Sequence, residues 1–275
     1  MANPALNEKR FEHYREEGQP GWAAADGATL AGGTTAVSTG AGVLPPAAAR
    51  TGVMTANGTF AKTFALFVLV LVGGAIGWSQ APISPVNQFE LPGWAWIAMF
   101  GAFAVAMVQI FVPKASPILS PIYAITEGLF LGAISKAFEV RWDGIVFQAI
   151  LATVGVFFVT LFLYVFDIVK VTRKFQMVVI GATGGIFLMY LFGLVMSLFG
   201  VDVMFWNEPS ALGILISAAI AVIAALNLFL DYEFIRQAST AGAPKYMEWY
   251  GAFGIMVTLV WLYLEVLRLL ALLRN

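Results

Sequence analysis

The chain has 275 residues, 60% of them hydrophobic and 11% charged, with a net charge of −1; a soluble domain carries about 25% charged residues, so the apolar excess has to face lipid. This balance predicts an all-α, polytopic membrane bundle and supplies no global field for nucleic acid. The absence of cysteine excludes disulfides, thiolate catalysis and thiolate-bound metals.

Residues 1–59 form the first segment. They hold no apolar core of signal-peptide type, and they are rich in Gly, Ala and Thr after a charged start from Glu8 to Glu17. That composition predicts a flexible, solvated tail that could also carry a protein partner. The single histidine, His13, lies in this tail, which leaves no imidazole for the membrane.

Seven apolar spans follow over residues 60–275, each near the ~20 residues that cross a bilayer. They run Phe60–Ser79, Gly93–Val112, Pro117–Phe138, Gly144–Phe166, Met177–Phe199, Ala211–Leu230 and Ile255–Leu273, and the apolar Tyr250-Gly-Ala-Phe-Gly254 leaves open an earlier start for the seventh. Trp78, Trp94, Trp96, Trp142, Trp206 and Trp249 cluster at span ends, as an aromatic belt does. Small residues recur four apart at Gly73/Gly77, Gly128/Gly132, Gly181/Gly185, Gly193/Ser197 and Gly213/Ser217, a pattern that lets helix backbones approach closely in lipid.

Basic residues alternate between connections: Lys114, then Lys170, Arg173 and Lys174, then Arg236 and Lys245 on one side, with only acidic residues in the first and fifth connections. The alternation predicts a cytoplasmic N-terminus in the plasma membrane. Seven crossings put the C-terminus outside, although Arg268 and Arg274 leave open a last helix that does not cross fully.

Three acidic residues stand out in this background. Glu127, in the third span beside Gly128 and Gly132, is either a pathway carboxylate or a neutral acid bonded to a neighbouring helix. Asp231 closes the sixth span, and Asn227 lies four residues earlier on the same helix face; the pair is either a cation or proton site or ordinary helix-end polarity. Glu265 lies inside the seventh span, where an ionised carboxylate costs roughly 2.5 kcal/mol or more. It is either a site residue or the local partner of Arg268, three positions on. Two such acids in contact titrate as a unit, and a divalent cation displaces their shared proton. An all-oxygen site of this kind suits calcium better than zinc or copper.

The same residues carry a resemblance. Thr126-Glu127-Gly128-Leu-Phe-Leu-Gly132, Leu228-Phe-Leu-Asp231-Tyr-Glu-Phe-Ile235 and Trp261-Leu-Tyr-Leu-Glu265-Val-Leu-Arg-Leu-Leu270, in that order, resemble the Bax inhibitor family over about residues 55–275. Gly242–Gly254 resembles a bacterial branch. The resemblance implies a bundle whose last helix is wrapped by the other six. It also implies a pH-sensitive calcium leak governed by one carboxylate on the sixth helix and one on the seventh. Asp231 and Glu265 match those positions, with Glu in place of the usual Asp at 265. The family's latching arginine on the second helix has no counterpart in Gly93–Val112, and Arg268 is the candidate substitute.

Two further classes frame this expectation. Some bacterial relatives resemble modulators of membrane protein quality control, which predicts a non-transporting protein that meets a membrane protease or another partner through its tail. An intramembrane enzyme is disfavoured, because no span holds a histidine for a serine triad or a zinc site. No cofactor is expected, with calcium as the bound or transported ion.

Overall fold

The computed structural model describes residues 52–82, 91–201 and 208–275. The tail expected over residues 1–59 lies, up to residue 51, outside the described residues.

The described residues build seven helices: α1 (Ala56–Gln80), α2 (Gly93–Phe111), α3 (Ser116–Arg141), α4 (Ile145–Val165), α5 (Arg173–Leu198), α6 (Ala211–Thr240) and α7 (Met247–Arg274). All seven are long and apolar enough to cross a bilayer, and the chain is a multi-pass membrane protein. Local signals set the starts. Thr55, Thr172 and Ser210 cap α1, α5 and α6 by accepting an amide hydrogen. Gly144 turns into α4 at φ 74°, and Glu139 accepts from the amides of Gly144 and Val146 there. Pro113 opens a short 3-10 turn that separates α2 from α3.

Several boundaries differ from the apolar runs, among them the starts of α1 and α7 and the end of α6. α1 starts at Ala56, before Phe60. α6 runs on to Thr240, so Asp231 lies within the helix and does not close it. α7 starts at Met247, eight residues before Ile255. In each case the helix extends past the apolar run because polar groups at its end find partners inside the protein. Met54 donates its amide to Ala243 and Lys245 donates to Gly52, which clips the entry of α1 to the α6–α7 connection. Glu248 then accepts from the amide and hydroxyl of Thr55 and pairs with Lys62.

The closest packing is between α1 and α3. A Cβ at Gly77 would stand 2.1 Å from the Leu129 carbonyl oxygen, and one at Gly132 would stand 2.0 Å from that of Gly74. The two backbones touch, as the small-residue spacing predicts. Gly181 and Gly185 behave differently: nothing among the described residues lies within 4 Å of a Cβ built at either. That stripe faces open space among the described residues.

α3 and α7 are the most buried spans. α7 packs against α1, α3, α4 and α6. α5 reaches it through Tyr190, and α2 reaches it through Gln109, which donates to Ser120, which donates to the Trp249 carbonyl. The last helix is thus the central one. α3 and α7 run parallel: Ser120, Tyr123 and Ser135 meet Trp249, Phe253 and Tyr263 in that order. α6 and α7 run antiparallel, with Asp231 at Thr258 and Ser217 at Glu265.

Candidate functional site

Glu265 is 4% exposed on α7. Oε1 accepts from Arg268 at 2.6 Å and from the Ser217 hydroxyl at 2.9 Å, while Oε2 accepts from the Tyr190 hydroxyl at 3.0 Å. Arg268 also donates to the Tyr190 oxygen at 2.9 Å, and its guanidinium carbon lies 5.5 Å from the Tyr190 ring centroid. Its Nε is buried without a partner among the described residues. This network explains how the span tolerates a charge. The guanidinium opposes the carboxylate, and hydroxyls from α5 and α6 satisfy the remaining acceptor sites. It also ties three helices together at one point.

Asp231 is built differently. Oδ2 accepts the Thr258 hydroxyl at 2.7 Å. Gly254, one turn earlier on α7, faces the other oxygen; a Cβ there would stand 3.4 Å from Oδ1. Asp231 is partly exposed and has no cation partner among the described residues. The expected support from Asn227 does not form. Its amide donates instead to the Thr183 hydroxyl and the Ile223 carbonyl, both at 2.8 Å, and so fastens α5 to α6.

Glu127 is 8% exposed on α3, with no hydrogen-bond partner for its carboxyl among the described residues. It lies on the face of α3 that meets α7, one turn after Tyr123, whose ring packs edge-on against Phe253 at 5.0 Å. Because α3 and α7 run parallel, that places Glu127 about level with residue 256. It is therefore level with Asp231, on a different side of α7, and not level with Glu265.

The structure does not bring Asp231 and Glu265 together. Asp231 meets α7 at Gly254 and Thr258, and Glu265 lies seven residues past Thr258, about 10 Å along a helix of 1.5 Å rise. The matching partner of Glu265 on α6 is Ser217, fourteen residues before Asp231. The register of two antiparallel helices sets this separation. At this separation the two carboxylates neither share a proton nor reach one common cation, as the expected pair requires. No three His, Cys, Asp or Glu side chains gather into a metal-holding group among the described residues. Arg268 latches Glu265 and not the pair.

Sequence reasoning missed two buried acids. Glu233, 6% exposed, takes hydrogen bonds from Tyr164, Arg236 and Gln237. Glu248, 2% exposed, holds Lys62 and Thr55. The spacing of Glu233 to Arg236 and Gln237, three and four residues on, was the available signal. Buried tyrosines such as Tyr190 read as helix-to-helix hydrogen-bonding groups, but the partners of Tyr190, Ser217 and Thr258 carried no signal, because a hydroxyl in an apolar run does not say which helix it faces.

A family model described as Bax inhibitor 1 like matches residues 3–275. The match takes in the tail, which the three quoted segments leave out. No curated protein and no solved structure matches the chain.

Proposed function

The chain belongs to the Bax inhibitor 1-like family of membrane proteins, and from that premise we propose that it is a pH-sensitive calcium leak in a bacterial plasma membrane, with its N-terminus in the cytoplasm. The reading assigns it no chemical reaction and no cofactor; calcium is cargo. It uses two stations along α7 in place of one carboxylate pair.

The observation that carries this reading is Asp231: a carboxylate within a membrane span, held by one hydroxyl and opposed by no cation among the described residues. An ionisable group in that position marks an ion or proton path by default. Ionised Asp231, with the Thr258 hydroxyl beside it, offers the oxygen ligands that calcium accepts in loose geometry. A proton on the carboxylate removes the charge and competes with the cation for one place. Glu127, level with it on α3, extends the acidic character of this depth. Glu265 and Arg268 form the second station, a neutral ion pair about two to three turns along, where separation of the pair would free a second carboxylate.

The test is calcium entry into liposomes that contain the purified protein. Asp231→Asn is expected to abolish most of the flux. Wild-type flux in Asp231→Asn would remove this residue from the path.

A further inference from the structure

A groove of about 600 Å³ runs along the bundle between α1 and α4, with α3 and α7 as its floor. It extends from Phe60 to Trp78 of α1, a rise of about 27 Å at 1.5 Å per residue, close to the ~30 Å of a bilayer's hydrocarbon core. Among the described residues its two walls share no extensive contact. The volume falls within the roughly 300–1,000 Å³ of ligand pockets.

The lining excludes a polar occupant. Thr63, Ser135, Thr153 and Tyr263 are its hydroxyl-bearing residues, and all are engaged. Thr63 donates to the Thr59 carbonyl, Thr153 donates to that of Ala149, and Ser135 and Tyr263 share a bond at 2.6 Å. The remaining wall is aliphatic and aromatic. The two ends differ. Near Phe60, Lys62 is already paired with the buried carboxylate of Glu248. Near Trp78, Lys136 directs its ammonium to the Ala81 carbonyl at 2.6 Å, and its two further N–H donors have no partner among the described residues. Glu139, one turn on, is occupied by the amides of Gly144 and Val146.

We propose that this groove holds one phospholipid, its acyl chain lying between α1 and α4 and its phosphate beside Lys136 at the Trp78 end. The site differs from ordinary lipid contact because residues of four helices, α1, α3, α4 and α7, line it. Such a lipid should survive removal of the surrounding bilayer.

The experiment counts phospholipid by native mass spectrometry on the full chain after repeated detergent exchange. Wild type should retain one long-chain phosphatidylglycerol. Ala75→Phe, at an open position of the α1 wall, and Val154→Trp, from the α4 wall, should retain none. Lys136→Ala should lose the lipid at lower detergent exposure than wild type. Phe103→Trp, on the outward face of α2, should retain it. Adding phosphatidylglycerol back to stripped protein should raise the melting temperature of wild type and leave that of Ala75→Phe unchanged. A wild type that retains no phospholipid, or an Ala75→Phe that retains and responds to it as wild type does, overturns the proposal.

Discussion

The Asp231 carboxylate accepts the Thr258 hydroxyl at 2.7 Å, and Gly254 leaves the neighbouring oxygen without a side chain over it. One acid of the sixth helix is thereby presented to the face of the last helix without a counter-charge. The other acid of interest, Glu265, has its counter-charge on the same helix three residues away.

Gly254→Ala tests the approach to Asp231 along α7. A methyl group would stand 3.4 Å from Oδ1, which is contact without a clash. The variant should fold with a melting temperature near that of wild type. Its calcium flux should fall by up to about tenfold, the effect of ~1.4 kcal/mol. Unchanged flux would mean that the ion does not approach Asp231 from this side.

Arg268→Gln tests the latch. It leaves the Glu265 carboxylate buried without its cation, and breaking a buried pair in this way costs about 3–5 kcal/mol. The double variant Glu265→Gln with Arg268→Gln should recover most of that loss, because no uncompensated charge remains. Unfolding measured for both single variants and the double variant gives the coupling directly.

The glycine stripes make opposite predictions. Gly132→Ala drives a methyl group into the Gly74 carbonyl, and overpacking costs about 1–3 kcal/mol or more where backbone must move. Gly181→Ala and Gly185→Ala meet open space and should stay within about 0.5 kcal/mol of wild type. Melting temperatures of the three in one detergent decide it.

Glu248→Gln tests the clip at the entry of α1. It removes the charge partner of Lys62 and weakens two bonds from Thr55. A hydrogen bond to a charged group contributes about 1.5–3 kcal/mol. The amides of Met54 and Thr55 should exchange with solvent faster, while those of the α7 core keep their protection. Hydrogen exchange read segment by segment checks this.

The seven spans were legible because lipid permits no alternative: an apolar run of this length has to become a helix. The α1–α3 contact was legible in Gly73, Gly77, Gly128 and Gly132. The ends of α6 and α7 were not, because Glu233, Arg236 and Glu248 break the apolar pattern and are accommodated only through partners on other helices. Asp231 and Glu265 were visible as acids, but their separation was not. Helix register depends on side-chain packing between α6 and α7, and residue spacing along one strip of sequence does not encode it. Gly181 and Gly185 show the converse, since a stripe shared with the packed helices lies unpacked here.

The central claim is that Asp231 is where proton and calcium compete, and the most direct test is calcium flux into liposomes measured across pH for wild type, Asp231→Asn and Glu265→Gln. The account predicts that wild-type flux varies with pH, that Asp231→Asn gives low flux with no such variation, and that Glu265→Gln keeps a pH dependence. A pH profile in Asp231→Asn that matches wild type would contradict it.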